Sequence, residues 1–201
     1  MRLIPIWAAL SLFSIRLAAA QPAAAAQPAT AAPAAISYSI ASAESTLSYD
    51  VVHKLHKVRG ISKKAEGKGR ILPDGKVQVM IRVPVESFDS SNVNRDAHMK
   101  EVVDAARFPQ VELKALGEGV SIPASFPSSV DKTFKVQLSF HGLQKSFDLP
   151  VKLTFESADR VRAQTSMNVS FDEFKLERPS LMFVKVDDAI RIEANIVFTK
   201  G

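Results

Sequence analysis

The chain of 201 residues contains no cysteine. Disulfides, thiolate metal sites and a cysteine nucleophile are therefore excluded, and an animal secretory route is less favoured than a bacterial envelope. No glycine-rich phosphate loop and no H-E-x-x-H is present, and none of the many serines stands in a G-x-S-x-G or S-x-x-K setting. Strong charge of one sign is missing too. Net charge is +5; the first 35 residues contribute Arg2, Arg16 and no acid, which leaves 24 basic against 21 acidic residues in the remainder. So mild a surplus, without basic runs, is no nucleic-acid footprint, although it is compatible with an anionic membrane surface or an anionic head group. Hydrophobic residues make up 46% of the chain, enough for a core in one domain with extras.

The extras lie at the N-terminus. Residues 1–20 have the layout of a cleavable signal peptide: Arg2, an apolar segment from Leu3 to Ile15, and Ala18-Ala19-Ala20 ahead of Gln21. That apolar run is shorter than the ~18–20 residues a bilayer span needs. Residues 21–35 are almost entirely Ala, Pro and Gln, with three prolines, and predict a disordered linker. The folded domain is expected over 36–201.

From Ile36 onward the pattern has period two. Val77, Val79, Ile81, Val83 and Val85 alternate with Lys76, Gln78, Met80 and Arg82. The same alternation runs through Phe134–Phe140, Phe147–Phe155 and Ile190–Phe198, and more weakly through 36–41, 45–54, 64–72, 110–120 and 160–170. Turn signals at Pro73-Asp74-Gly75, Gly142–Lys145 and Ser157-Ala158-Asp159 join neighbours as hairpins. Strands with one apolar face must close or stack, giving a barrel or a sandwich; the expected fold is all-β, taken as an antiparallel barrel of about eight strands. Asn92–Ala106 breaks the pattern and predicts one short helix, about 93–106, capped by Asn92 and packed near the barrel mouth. Phe171–Asp188 reads as a long loop or a second, shorter helical turn. Alternation alone leaves open whether the interior is filled or hollow.

Few residues could carry chemistry. His53 and His56 form an H-x-x-H pair, but residues three apart on a strand point to opposite faces, so a shared metal would need a bulge or turn. Asp96 and His98 are two apart on a helix and do not face each other. No metal is expected, and no nucleophile, base and orienter assemble, so the chain is not read as an enzyme. The densest polar group is Asn94-Arg95-Asp96-Ala97-His98-Met99-Lys100. As a solvated helix face it would pair Asp96 with Lys100; as the rim of a barrel mouth it would hold a head group with Arg95 and His98.

These residues also carry a resemblance. Arg95-Asp96-Ala97-His98-Met99-Lys100, after Val85-Glu86-Ser87-Phe88-Asp89-Ser90 and before Arg107-Phe108-Pro109-Gln110-Val111, resembles the core signature of YceI-like proteins. Leu47–His53 with Val58-Arg59-Gly60, and Leu138–Lys145 with Gly142, are similar to the family's flanking strand and hairpin motifs. The pattern departs from the family at Glu44-Ser45, Val102-Val103 and Phe171–Phe174. The resemblance spans about Ile36 to Phe198 and implies a lipocalin-like barrel, usually periplasmic, that holds a polyisoprenoid.

The expected function is thus a periplasmic carrier of a polyisoprenoid or similar amphipathic lipid, with an extracellular destination as the alternative. No cofactor is expected; the ligand would be an isoprenoid quinone or a polyprenol-type molecule. The expected ligand-binding residues are His53, Arg95, Asp96 and His98 at the mouth, and Phe134, Phe140, Phe147, Leu149 and Phe155 on the tunnel wall. Transient membrane contact and homodimerisation are compatible with this reading, and nucleic acid is not. The rival is a filled-barrel module that meets a protein partner of the envelope and binds no lipid.

Overall fold

The computed structural model describes residues 34–53, 56–181 and 184–201. The expected signal peptide, and the linker apart from its last two residues, lie outside the described residues. Twelve strands are described: β1 (Ile36–Ile40), β2 (Thr46–His53), β3 (His56–Ser62), β4 (Glu66–Ile71), β5 (Val77–Pro84), β6 (Gln110–Gly117), β7 (Ser128–Phe140), β8 (Leu143–Ser157), β9 (Arg160–Ser170), β10 (Ser180–Leu181), β11 (Val184–Lys185) and β12 (Ala189–Lys200). One α-helix, α1 (Val93–Val102), lies between β5 and β6.

The sheet closes on itself. Its order runs β1-β4-β5-β6-β7-β8-β9-β12, and β12 pairs back to β1, so eight antiparallel strands form a complete ring. Closure removes the free edges that an open sheet exposes. β1 and β2 lie end to end along one edge of β12: Ile40 faces Phe198, and Thr46 faces Asn195. The join between them is stitched by Ser45, a fully buried residue whose hydroxyl accepts from Val197 N–H at 3.0 Å and donates to Ala41 O at 2.8 Å. β3 and β4 continue the neighbouring wall in the same interrupted way.

The strong alternations hold their expected faces. The odd residues of β5 and the even residues of β12 from Ile190 to Phe198 point inward. β3 was not among the expected strands, because only Val58 marks an apolar inner face between Lys57, Arg59 and Ile61. His53 and His56 are opposed register partners where the chain reverses between β2 and β3. The β7–β8 turn is tighter than expected: His141 and Gly142, both with positive φ (48° and 70°), connect Phe140 directly to Leu143. Positive φ at both central residues is what a two-residue hairpin turn demands.

One part of the wall splays. The β8–β9 ladder stops at the Lys152–Gln164 pair, above which β8 keeps a backbone ladder with β7 and β9 with β12. Thr165 Oγ1 donates to Pro150 O at 2.6 Å across the last point of approach. The segment after β9, expected as a loop, fills this wedge. Phe171, Phe174 and Leu176 are buried in a second apolar cluster with Leu138 and Val169, and Phe147 and Met167 pack against it. The rest of that segment holds the small β10–β11 pair and no second α-helix among the described residues.

Candidate functional site

The barrel is hollow. A cavity of about 500 Å³ runs from Tyr38, Phe155 and Phe198 at one end to His53 and α1 at the other. Its far end is sealed by the β4–β5 turn, where Val120 N–H donates to Gly75 O at 3.1 Å, and by Tyr38, whose hydroxyl donates to Ala158 O at 2.9 Å. The inward residues from Ile190 to Phe198 all border this cavity. Eight residue steps at ~3.4 Å along a strand tilted by ~40° make the lumen roughly 20 Å long. Its shape suits a chain better than a compact molecule.

Three contacts explain why aromatic side chains do not fill it. The Tyr49 ring lies flat against Gly60, its register partner, where an added Cβ would come within 2.3 Å of Tyr49 Cε1. Phe134 lies against Gly117 in the same way, at 2.4 Å from an added Cβ. At Gly69 an added Cβ would meet Phe198 Cε1 at ordinary contact distance, 3.5 Å. A wall glycine gives a large ring somewhere to lie other than the lumen. Ala115, Ala163 and Ala194 complete the open cross-section with short side chains.

The mouth carries the polar groups. Asn92 caps α1 by accepting from Arg95 N–H at 3.1 Å, so the helix begins where the sequence predicts. It lies across the opening with no buried residue, and Arg95, His98, Met99, Val102 and Val103 border the cavity. Arg95 donates one guanidinium arm to Ser90 O at 2.8 Å. His98 is exposed, with Nδ1 3.6 Å from Glu101. His53 is buried, its Nε2 3.2 Å from Val184 O, which ties the end of β2 to β11. His141 does not border the cavity; its Nδ1 lies 2.9 Å from Phe174 O and pins the wedge-filling segment to the β7–β8 turn.

Of the expected site residues, His53, Arg95, His98, Phe134, Phe140, Leu149 and Phe155 border this one cavity. Asp96 and Phe147 do not. Asp96 turns back to accept from Ser90 N–H at 3.0 Å, and this replaces the expected pairing with Lys100. Phe147 is half-buried between the two apolar clusters, in the region where β8 has left β9. The sequence reading passed over Tyr49 and Gly60. Signals for both existed: an aromatic hydroxyl on the apolar face Leu47-Tyr49-Val51, and a lone glycine inside a strand. Among the described residues no three His, Asp or Glu side chains gather as a metal site.

The family model of the YceI-like domain matches residues 38–198, which span this hollow eight-stranded barrel and the helix across its mouth. The chain belongs to the YceI-like family. Solved structures agree on the fold. A polyisoprenoid-binding domain from Saccharophagus degradans implicated in plant cell wall breakdown is 15% identical, with a TM-score of 0.69 over 83% of this chain and 99% of that one. BcnA of Burkholderia cenocepacia is 18% identical, with a TM-score of 0.62 over 79% of this chain and 98% of its own. The YceI protein of Campylobacter jejuni is 13% identical, with a TM-score of 0.55 over 75% and 89%. No curated protein matches the chain. At these identities the three structures share the fold, and the lining of this lumen has to be judged on its own residues. No helix among the described residues is long and apolar enough to cross a membrane.

Proposed function

We propose that this YceI-like protein is a carrier for a polyisoprenoid or similar amphipathic lipid, exported to the periplasm and not an enzyme. The observation that carries the reading is the lumen: about 500 Å³, elongated and walled almost wholly by aliphatic and aromatic side chains. Each CH₂ moved there from water gains ~0.8 kcal/mol, so a long apolar tail needs few polar contacts to be held. A cavity of this size also weighs against the filled-barrel module, whose interior would pack to ordinary protein density. The name of the S. degradans relative points the same way. His53 Nε2 at the mouth lies 3.2 Å from Val184 O, and His98 Nδ1 lies 3.6 Å from Glu101.

Native mass spectrometry with lipid extraction tests this on protein taken from its own envelope fraction without detergent. A stoichiometric apolar species supports the carrier and names its ligand. A clean apo mass, with no uptake of quinones or polyprenols on titration, returns the reading to a protein-interaction module.

A further inference from the structure

Outside the lumen, the charges of the domain are unevenly placed. Residues 36–201 hold 24 basic and 21 acidic residues. Strand register lines up two rows of side chains on the outer face of β4, β5, β6 and β7. Arg70, Gln78, Leu116 and Lys135 stand side by side in one, and Lys68, Met80 and Lys114 in the next. At ~4.8 Å between strands, the rows cover a patch roughly 15 Å wide. Among the described residues the one acid in register with them is Asp148, opposite Lys135. The two rows therefore carry the whole positive surplus, and the remaining charges of the domain cancel. Arg70 bonds Gln78 Oε1 at 2.7 Å, and Lys114 is 3.7 Å from Glu112. Lys68, Arg70 and Lys135 reach no acid of the described residues at ion-pair distance. The patch also shows apolar surface between its cations, with Leu116 59% and Met80 36% exposed.

We propose that this flank of the barrel, away from the mouth, is a docking surface for an anionic lipid bilayer. Charge complementarity carries the assignment: four cations set about one Debye length apart act together on a negative surface, and Leu116 and Met80 meet its interface. An acidic protein offers the same sign of charge, but the patch lacks what a specific protein contact uses. It has no aromatic residue, and such interfaces centre on aromatic and arginine anchors seated in pockets. Each of its four strands is paired on both sides, so a partner's strand has no edge to join. Three of the four cations are lysines, flexible point charges that suit a diffuse negative surface better than bidentate recognition. Docking on this flank would leave the mouth uncovered by the bilayer contact itself. The assignment stands independently of what the lumen holds.

Co-sedimentation with vesicles tests this on protein taken from the envelope fraction. The vesicles are phosphatidylcholine alone and phosphatidylcholine mixed with phosphatidylglycerol. The wild type is expected to bind only the mixed vesicles, and to release them as salt is added. Lys68→Glu with Lys135→Glu should weaken that binding by tenfold or more. The milder pair Lys68→Gln with Lys135→Gln should fall between the two, which covers the case of a reversal that disturbs folding. Lys175→Glu with Lys185→Glu changes net charge equally at the mouth end, and should bind as the wild type does. Equal loss in both reversed pairs would reduce the effect to net charge and overturn the assignment. Loss in the mouth pair alone would move the docking surface to the mouth, and binding to pure phosphatidylcholine would remove the role of charge; either overturns it. So does a wild type that binds no vesicle, above all if it retains an acidic envelope protein that the Lys68/Lys135 reversal does not.

Discussion

Glycine and aromatic ring act as a unit at two places in this wall, and the width of the lumen depends on both. At Gly117 an added Cβ would stand 2.4 Å from Phe134 Cε1, closer than real atoms approach, so one of them must move. The ring is flexible and the strand backbone is not, so Phe134 should swing into the lumen. Gly117→Ala is therefore expected to cost about 1–3 kcal/mol of stability through overpacking. It should also reduce uptake of a prenyl probe, since the displaced ring takes the ligand's space. Chemical denaturation and a binding titration on the same variant check both effects. Full uptake at wild-type stability would show that Phe134 can reach another resting place.

The two elements that close the mouth are held very differently. Helix α1 has no buried residue, and Val93, its first, is 83% exposed. Its polar fixed points are the Asn92 cap and the Ser90 contacts of Arg95 and Asp96, beside the partly buried packing of Met99 and Val102. Asn92→Ala should cost about 1 kcal/mol, confined to the helix. Hydrogen exchange should then quicken over 93–102 while the global unfolding midpoint barely moves; equal protection in variant and wild type would contradict a lightly held cover. The segment after β9 is the opposite case. Phe174 is 1% exposed, packs on Phe140 with ring centroids 5.3 Å apart, and replaces the strand pairing missing between β8 and β9. Phe174→Ala should cost about 3–5 kcal/mol in equilibrium unfolding. A much smaller loss would mean that the wedge closes without it.

For the whole barrel, the charges outside matter as the apolar residues do inside. Arg160 bonds Glu44 and Glu156, and Arg162 bonds Glu156 and Asn195, so one network ties the β1–β2 join to the β8–β9 turn and to β12. The hydrogen bond from Arg160 is the leading cause that holds both glutamates below their usual value of 4.5. A carboxylate whose folded pKa is depressed contributes stability above the unfolded value and loses it as pH falls through the folded one. The melting temperature should therefore decline as pH drops below about 4.5, and Arg160→Ala should make that decline shallower. The effect should be modest and salt-sensitive, because these groups are exposed. A variant with the same pH slope as the wild type would remove the network from the account.

Period-two apolarity along β5, β7, β8 and β12, with turn residues between, was enough by itself to determine an antiparallel all-β fold that closes or stacks; closure as a barrel rests on the β1–β12 pairing. Each such strand has one face that must leave water, and few architectures bury eight of them. Asn92 likewise announced the helix, since capping is local chemistry. β3 was not legible, because Gly60 and its polar neighbours form a strand only when β2 stands beside them. The site divides in the same way. Arg95 and His98 could be placed at the mouth from their helix, but the turning-back of Asp96 to Ser90 depends on where the chain before α1 crosses the opening. Hollowness was decided only by tertiary structure. Whether Tyr49 and Phe134 occupy the lumen or lie against its wall depends on Gly60 and Gly117, residues on neighbouring strands that register alone brings beneath the rings.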